Sequence, residues 1–341
     1  MEVSAFRTAV LGWYDVGARA LPWRVRGGRA DAYAVWLSEV MLQQTTVPHA
    51  TPYWLEFLRR WPTVKDLAAA DDAEVMSAWA GLGYYARARN LLACARAVAG
   101  EHGGVFPDTE EGLRALPGVG AYTAAAVAAI AFDRYAHVVD GNVERVVSRL
   151  FRIATPLPKA KSEMRARAAE LTDLGRPGDW AQAMMDLGAM VCRPKGPLCD
   201  RCPVAEWCAA RASGDQETYP VKAAKTARPR RYGVAYILRR GDELALVRRP
   251  VKGLLGGMLG LPTTEWSAER PDGLDAAPVT KDWKRVGEIE HVFTHFALTL
   301  EVWAAEGAGL DGAIWSRDVG GLPSVFLKAV RVATPVDAPP P

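Results

Sequence analysis

The chain has 341 residues, 50% of them hydrophobic and 24% charged, enough to bury cores in about two domains, which excludes a wholly disordered chain. Its formal charge of +3 neither requires nor excludes a nucleic-acid partner, because local clusters of charge matter more than the sum. Five cysteines, four of them between positions 192 and 208, are too few and too clustered for a secreted disulfide scaffold.

In chain order, residues 1–17 carry Glu2, Arg7 and Asp15 and no continuous apolar core, so no targeting segment is read there. The longest apolar run, 124–132, is too short to span a bilayer, and the expectation is a soluble cytoplasmic protein in a reducing compartment. The first 210 or so residues read as helical. Tyr33, Trp36, Leu37, Val40, Met41 and Gln44 follow the i, i+3, i+4, i+7, i+8, i+11 pattern of an amphipathic helix. Glu39 falls off that stripe, and periodicity alone assigns it to a solvated face. Further helices are punctuated at Pro62, Gly81-Leu82-Gly83, Gly103-Gly104 and Pro117-Gly118. Cys94 reads as an ordinary buried thiol.

Leu116-Pro117-Gly118-Val119-Gly120 before an alanine-rich helix predicts a helical hairpin. Its backbone N–H groups stand at a helix N-terminus, where a phosphate could bind. Gly118 and Gly120 are both expected to supply positive φ and close backbone approach. Asp140 precedes a helix expected to start near Val143, where a capping role suffices to explain it.

Cys192, Cys199, Cys202 and Cys208 read C-x6-C-x2-C-x5-C, four thiols within reach of one metal centre. Sulfur ligation suits zinc or an iron–sulfur cluster. A zinc ribbon usually pairs two C-x2-C knuckles and only one is present, which favours a cubane 4Fe–4S cluster with zinc as the alternative. The loop between the first two ligands carries Arg193 and Lys195, suited to a phosphate.

Residues 213–231, rich in Lys and Arg between Pro220 and Pro229, read as an exposed basic linker. Beyond it the pattern turns to β. Segments 232–238 and 244–247 flank a turn and predict a hairpin, and alternation at Val292, Thr294, Phe296, Leu298, Leu300 and Val302 predicts one long strand. A small α/β or mostly β domain over 232–335 follows, with a frayed end.

Together these motifs resemble the helix-hairpin-helix DNA glycosylase superfamily and, more closely, its MutY-type adenine glycosylases. The resemblance rests on the cysteine spacing, Leu21-Pro22-Trp23-Arg24, WLSEVMLQQT at 36–45, GLGYYARARN at 81–90, LPGVGAYT, Val139-Asp140-Gly141-Asn142-Val143 and QAMMDLGA at 182–189. It implies two helical lobes with an iron–sulfur cluster loop, residues 26–134 forming a six-helix lobe and residues 1–25 with 135–212 the cluster lobe. A C-terminal α+β Nudix-like domain completes the fold. The implied activity is base-excision removal of adenine mispaired with 8-oxoguanine or guanine in double-stranded DNA, by a monomer. Related alternatives are a glycosylase for another lesion or a non-enzymatic iron–sulfur DNA-binding protein.

The resemblance also implies residue roles. Cleaving an N-glycosidic bond needs an acid for the leaving base and a carboxylate for the oxocarbenium-like sugar. Glu39 matches the acid and Asp140 the carboxylate, with Asn142 near the sugar. Tyr122 stands where the related endonuclease III type carries a lysine that forms a Schiff base, so a monofunctional enzyme is expected. Trp23, Arg24, Leu42 and Gln182 match the adenine pocket, although Gly27 and Gly28 lengthen the segment after Arg24. Gln44 and Tyr84 match residues that wedge into the base stack, with Thr45 near the orphan base and Gly118 and Gly120 on the backbone. In the C-terminal domain Phe293-Thr294-His295 stands where the family has a Phe-Ser-His loop that recognises 8-oxoguanine. Leu259 and Gly260 depart from the family pattern there. After Gly260 no run of glutamates matches an active Nudix box, so pyrophosphohydrolase activity is not expected.

Overall fold

A computed structural model describes residues 2–25, 28–223, 228–250, 253–293 and 295–333. The chain divides into two compact units, residues 1–224 and 225–341. The first unit is helical. Its helices are α1 (Val3–Gly17), α2 (Ala32–Met41), α3 (Val47–Arg60), α4 (Val64–Ala69), α5 (Asp72–Ala78), α6 (Tyr85–Glu101), α7 (Glu110–Arg114), α8 (Ala121–Phe132), α9 (Gly141–Leu150), α10 (Lys161–Leu171), α11 (Pro177–Asp186) and α12 (Ala209–Ser213).

Two apolar cores organise this unit. One gathers Trp36, Met41, Phe57, Trp79, Leu91 and the alanines of α8; the other gathers Phe6, Val10, Val147, Met164, Trp180 and Leu187. Helix α8 is apolar almost all round and buries Thr123 to Ala129, as a central helix must. Its alanines let α2 and α11 pack close on either side. Trp23 belongs to the first core, edge-on to Trp54 at 5.7 Å, so the N-terminal arm crosses from the second core rather than staying with it.

The basic stretch 213–231 is not one exposed linker. Tyr219 is buried, its carbonyl accepts from Arg149 Nε at 3.2 Å, and Leu157 N–H donates to the Val221 carbonyl at 2.9 Å. The stretch around residues 219–221 is therefore held on the helical unit through two backbone carbonyls, contacts that the charge pattern hid. Arg230 and Arg231 already lie in the first strand of the second unit.

That unit holds β1 (Arg230–Arg240), β2 (Glu243–Arg248), β3 (Leu259–Gly260), β4 (Lys284–Val292), β5 (Ala297–Glu306), β6 (Ile314–Ser316) and α13 (Ser324–Val332). The sheet order is β3-β2-β1-β5-β4, with β6 on β2; β1 and β5 run parallel and the other pairs antiparallel. Both sheet faces are covered, so β1 is buried continuously from Val234 to Leu238. The hairpin across residues 239–243 forms as the turn pattern predicts. The long strand over 292–302 does not. It breaks after Val292 and resumes at Ala297, and Phe293 N–H donates to the Phe296 carbonyl at 2.9 Å across the turn. The alternation holds from Phe296 onward, where Phe296, Leu298, Leu300 and Val302 face one core, and fails at Val292, which is exposed.

Candidate active site

A pocket of about 740 Å³ opens in the helical unit, walled by residues of both cores. It is lined by Glu39, Asp140, Tyr122, Asn142, Trp23, Arg24, Leu42, Gln182, Gln44 and Thr45, which the sequence places far apart.

Glu39 sits on α2 and is 6% exposed, not on a solvated face. The helix it belongs to is buried on nearly every side, so its polar position points into the pocket. Burial pushes its carboxyl up to about 7, reinforced by the negative charge of Asp140 and opposed by the Tyr122 hydroxyl and the positive charge of Arg24. Tyr122, one residue into α8, donates its O–H to Glu39 Oε2 at 2.7 Å and approaches Met185 Sδ at 3.5 Å. Burial holds the phenol well above its usual range, so it stays a donor.

Asp140 caps α9. Its Oδ1 accepts from the backbone N–H groups of Asn142 (2.9 Å) and Val143 (2.8 Å), and its Oδ2 accepts from Asn142 Nδ2 (2.7 Å). The capping and the catalytic readings are thus the same geometry: an anion fixed at the positive end of a helix, facing the pocket. Gly188 makes room here, because a Cβ would lie 2.6 Å from Asn142 Cβ. Arg145 bonds Asn142 Oδ1 (2.8 Å) and the Cys192 carbonyl (2.7 Å).

Arg24 lines the pocket but its guanidinium is committed. It forms a two-pronged pair with Asp186 at 2.5 and 2.7 Å, and Arg19 joins the same carboxylate at 2.5 Å. Asp186 is fully buried; burial pushes its carboxyl up, but the Arg24 and Arg19 contacts outweigh that and hold it below its usual range. Arg24 therefore anchors the N-terminal arm to the end of α11. Gln182 spends its amide N–H on the Gly178 carbonyl at 3.2 Å. Sequence reasoning missed Asp186, Arg19 and Met185; two of them lie inside the QAMMDLGA motif, which carried the signal without a role.

The wedge candidates share a strained backbone. Gln44 has φ 59° and Tyr84 φ 51°, left-handed values unusual outside glycine. Tyr84 is 61% exposed and lies outside the pocket lining. In the hairpin between α7 and α8, Gly118 has φ +71° and packs on Asn90, so only glycine fits. Gly120 does not use positive φ: it is extended at φ −85° and ψ 173° as the residue before α8, a place open to any residue.

The four cysteines line one cavity with Arg149, Val191 and Pro197. Arg149 is buried and donates to Cys192 Sγ at 3.3 Å and to the Arg193 and Pro194 carbonyls. Burial raises the thiols of Cys199, Cys202 and Cys208, that of Cys202 to about 11. No group of three or more ligating side chains among the described residues closes on a single ion. Arg193, read as a phosphate contact, is folded onto its own loop through the Gly196 carbonyl at 2.6 Å.

In the second unit Phe293 does not stand clear as a wedge. It is half-buried, stacked on Trp266 at 5.6 Å and against His291 and Phe296. His295 is exposed, and Thr294 lies outside the described residues.

Residues 37–173 match the model of the HhH-GPD superfamily base excision DNA repair proteins, and residues 233–330 match the NUDIX domain model. The human adenine DNA glycosylase is 38% identical over 91% of this chain and 68% of its own length. The adenine DNA glycosylase of Buchnera aphidicola from Acyrthosiphon pisum is 35% identical over 86% of this chain and 84% of its own length. Among solved structures, a thermostable thymine-DNA glycosylase is similar with a TM-score of 0.56 and 28% identity, covering 62% of this chain and 97% of that one. An endonuclease III in a DNA complex has the same fold (TM-score 0.52, 21% identity, 63% of this chain and 98% of that one). A helix-hairpin-helix unit followed by a Nudix-like sheet unit, with relatives of this identity along most of both chains, makes this protein a member of the adenine DNA glycosylase family within the HhH-GPD superfamily.

Proposed function

We propose that the chain is a monofunctional adenine DNA glycosylase that hydrolyses the N-glycosidic bond of adenine mispaired with 8-oxoguanine or guanine in duplex DNA, leaving an abasic site. One observation carries this reading: Glu39 is a buried carboxyl pushed up to about 7, sharing its pocket with an Asp140 fixed at a helix N-terminus. Two carboxyl groups in unequal environments are the pair that glycosidic cleavage needs.

Glu39 holds its proton near neutral pH and delivers it to N7 of the flipped adenine. Tyr122 binds Oε2, which leaves Oε1 to face the base. As the bond to the base breaks, positive charge grows on the sugar, and Asp140 stabilises it without protonation. The ionised Glu39 then takes a proton from the attacking water, while the Tyr122 O–H steadies its new charge. Gln182 Oε1 remains as an acceptor for the adenine amino group. No lysine stands at position 122, and Lys161, the lysine among the described pocket residues, is paired with Glu144 at 3.4 Å.

The four cysteines fit an iron–sulfur cluster better than zinc. They surround one cavity without closing on a single ion, and the buried thiols of Cys199, Cys202 and Cys208 need a strongly binding metal centre to ionise. Such a cluster would supply structural cross-linking of residues 192–208. The Nudix-like unit reads the opposite 8-oxoguanine through the turn that carries Phe293 and His295. Excision assays on duplexes carrying A:8-oxoG, A:G, T:G and thymine glycol, with and without alkali, test the reading. Alkali-dependent cutting at adenine alone is expected; loss of thymine, or strand cutting without alkali at the excision rate, refutes it.

A further inference from the structure

Arg87, in the first turn of α6, bonds five backbone carbonyls from two separate turns. Nη1 donates to Val40 (3.1 Å), Met41 (3.2 Å) and Gln43, at the end of α2, and Nη2 to Leu82 (3.1 Å) and Gly83 (3.4 Å). Next along the chain from Gln43 and from Gly83 stand the two left-handed residues, Gln44 and Tyr84. Such conformations persist only where the surroundings over-determine them. The guanidinium also lies over the rings of Trp79 (5.3 Å) and Tyr84 (5.6 Å), and Trp79 Nε1 donates to the Gly83 carbonyl at 3.0 Å. Arg87 Nε is buried and has no partner among the described residues, so the carbonyls dictate its pose at the expense of its own full satisfaction.

We propose that Arg87 is a positioning residue that locks the Gln44 turn and the Tyr84 turn into one rigid wedge, which fills the duplex as the target nucleotide leaves it. The inference rests on the glycosylase reading and adds to it the part that holds the stack open. Only a planar fork reaches carbonyls on two turns at once; a lysine ammonium, a point donor, does not.

The test uses the full chain with Arg87→Lys and, as a milder variant, Trp79→Phe, which keeps the ring and loses the bond to Gly83. Single-turnover adenine excision is measured on an A:8-oxoG duplex and on the same duplex with an abasic site opposite the adenine, where the stack is already open. Rates are expressed relative to the parent protein on each substrate. Arg87→Lys is expected to be roughly tenfold slower on the intact duplex, as support for the strained turns is lost. On the abasic-opposed adenine it stays within about threefold, with an unchanged pH profile of the chemical step. Trp79→Phe shifts the same way by a smaller factor, and decides the matter if Arg87→Lys does not fold. Equal slowing on both substrates, or none, overturns the proposal while leaving the glycosylase reading intact. A parent protein that removes no adenine overturns both.

Discussion

Replacing Glu39 with glutamine removes the proposed acid and at the same time relieves a strain built into the fold. The carboxyl is raised from 4.5 to about 7, mainly because burial disfavours its charge. Each pH unit between those values is worth about 1.4 kcal/mol, so ionising Glu39 in the folded chain costs about 3 kcal/mol. The sign follows from proton binding. Between pH 4.5 and 7 the unfolded chain has lost this proton and the folded chain keeps it, so this group's contribution is fully present below 4.5 and is lost as pH rises through 7. Glutamine keeps an oxygen that accepts from Tyr122 and carries no charge. The Glu39→Gln protein should therefore gain on the parent as pH rises, and thermal midpoints of both at pH 5 and pH 8 measure it. The difference between them should widen by several degrees, at roughly 2–4 °C per kcal/mol for a domain of this size. Excision by the variant should be lost at both pH values, while the parent rate falls above about pH 7. A stability difference that does not change with pH would refute the burial argument, and a glutamine variant with parental excision would refute the acid.

Asp140→Asn should lower single-turnover excision by about 10²-fold or more, the range for losing a charge aimed at the transition state. Its amide oxygen still caps α9, so stability measured by thermal unfolding should fall by about 1 kcal/mol or less. Tyr122→Phe removes the bond that lowers the Glu39 carboxyl, so the alkaline limb of the pH–rate profile should move upward; a downward shift would contradict the geometry. Asp186→Asn leaves Arg24 and Arg19 without their buried partner and should cost about 3–5 kcal/mol in denaturant unfolding. Elemental analysis of the purified protein should find about four iron and four sulfide per chain; one zinc and no iron would overturn the cluster assignment.

The second unit shows where a local pattern misleads. Alternation at positions 292–302 is a sound strand signal, yet the strand breaks after the exposed Val292, and the alternation holds against one core from Phe296 to Val302. Likewise, charge between 213 and 231 suggested a tether while Tyr219 and Val221 tied its first half down. Periodicity resolves the face of one element, and it carries no information on which other element that face meets.

From sequence alone came the helical first unit, the β-rich second, the hairpin at Pro117-Gly118, the four clustered cysteines and, through the family resemblance, the pair Glu39 and Asp140. These features are local, or lie in motifs whose spacing along the chain is the signal. Tertiary structure alone decided that Glu39 is buried and its carboxyl pushed up to about 7, because its α2 is enclosed by α8 and α3. It also assigned Arg24 to Asp186 across 162 positions and gathered five carbonyls onto Arg87. A pKa depends on solvent exclusion and an ion pair on proximity in space, and neither is a property of any segment until distant segments pack together.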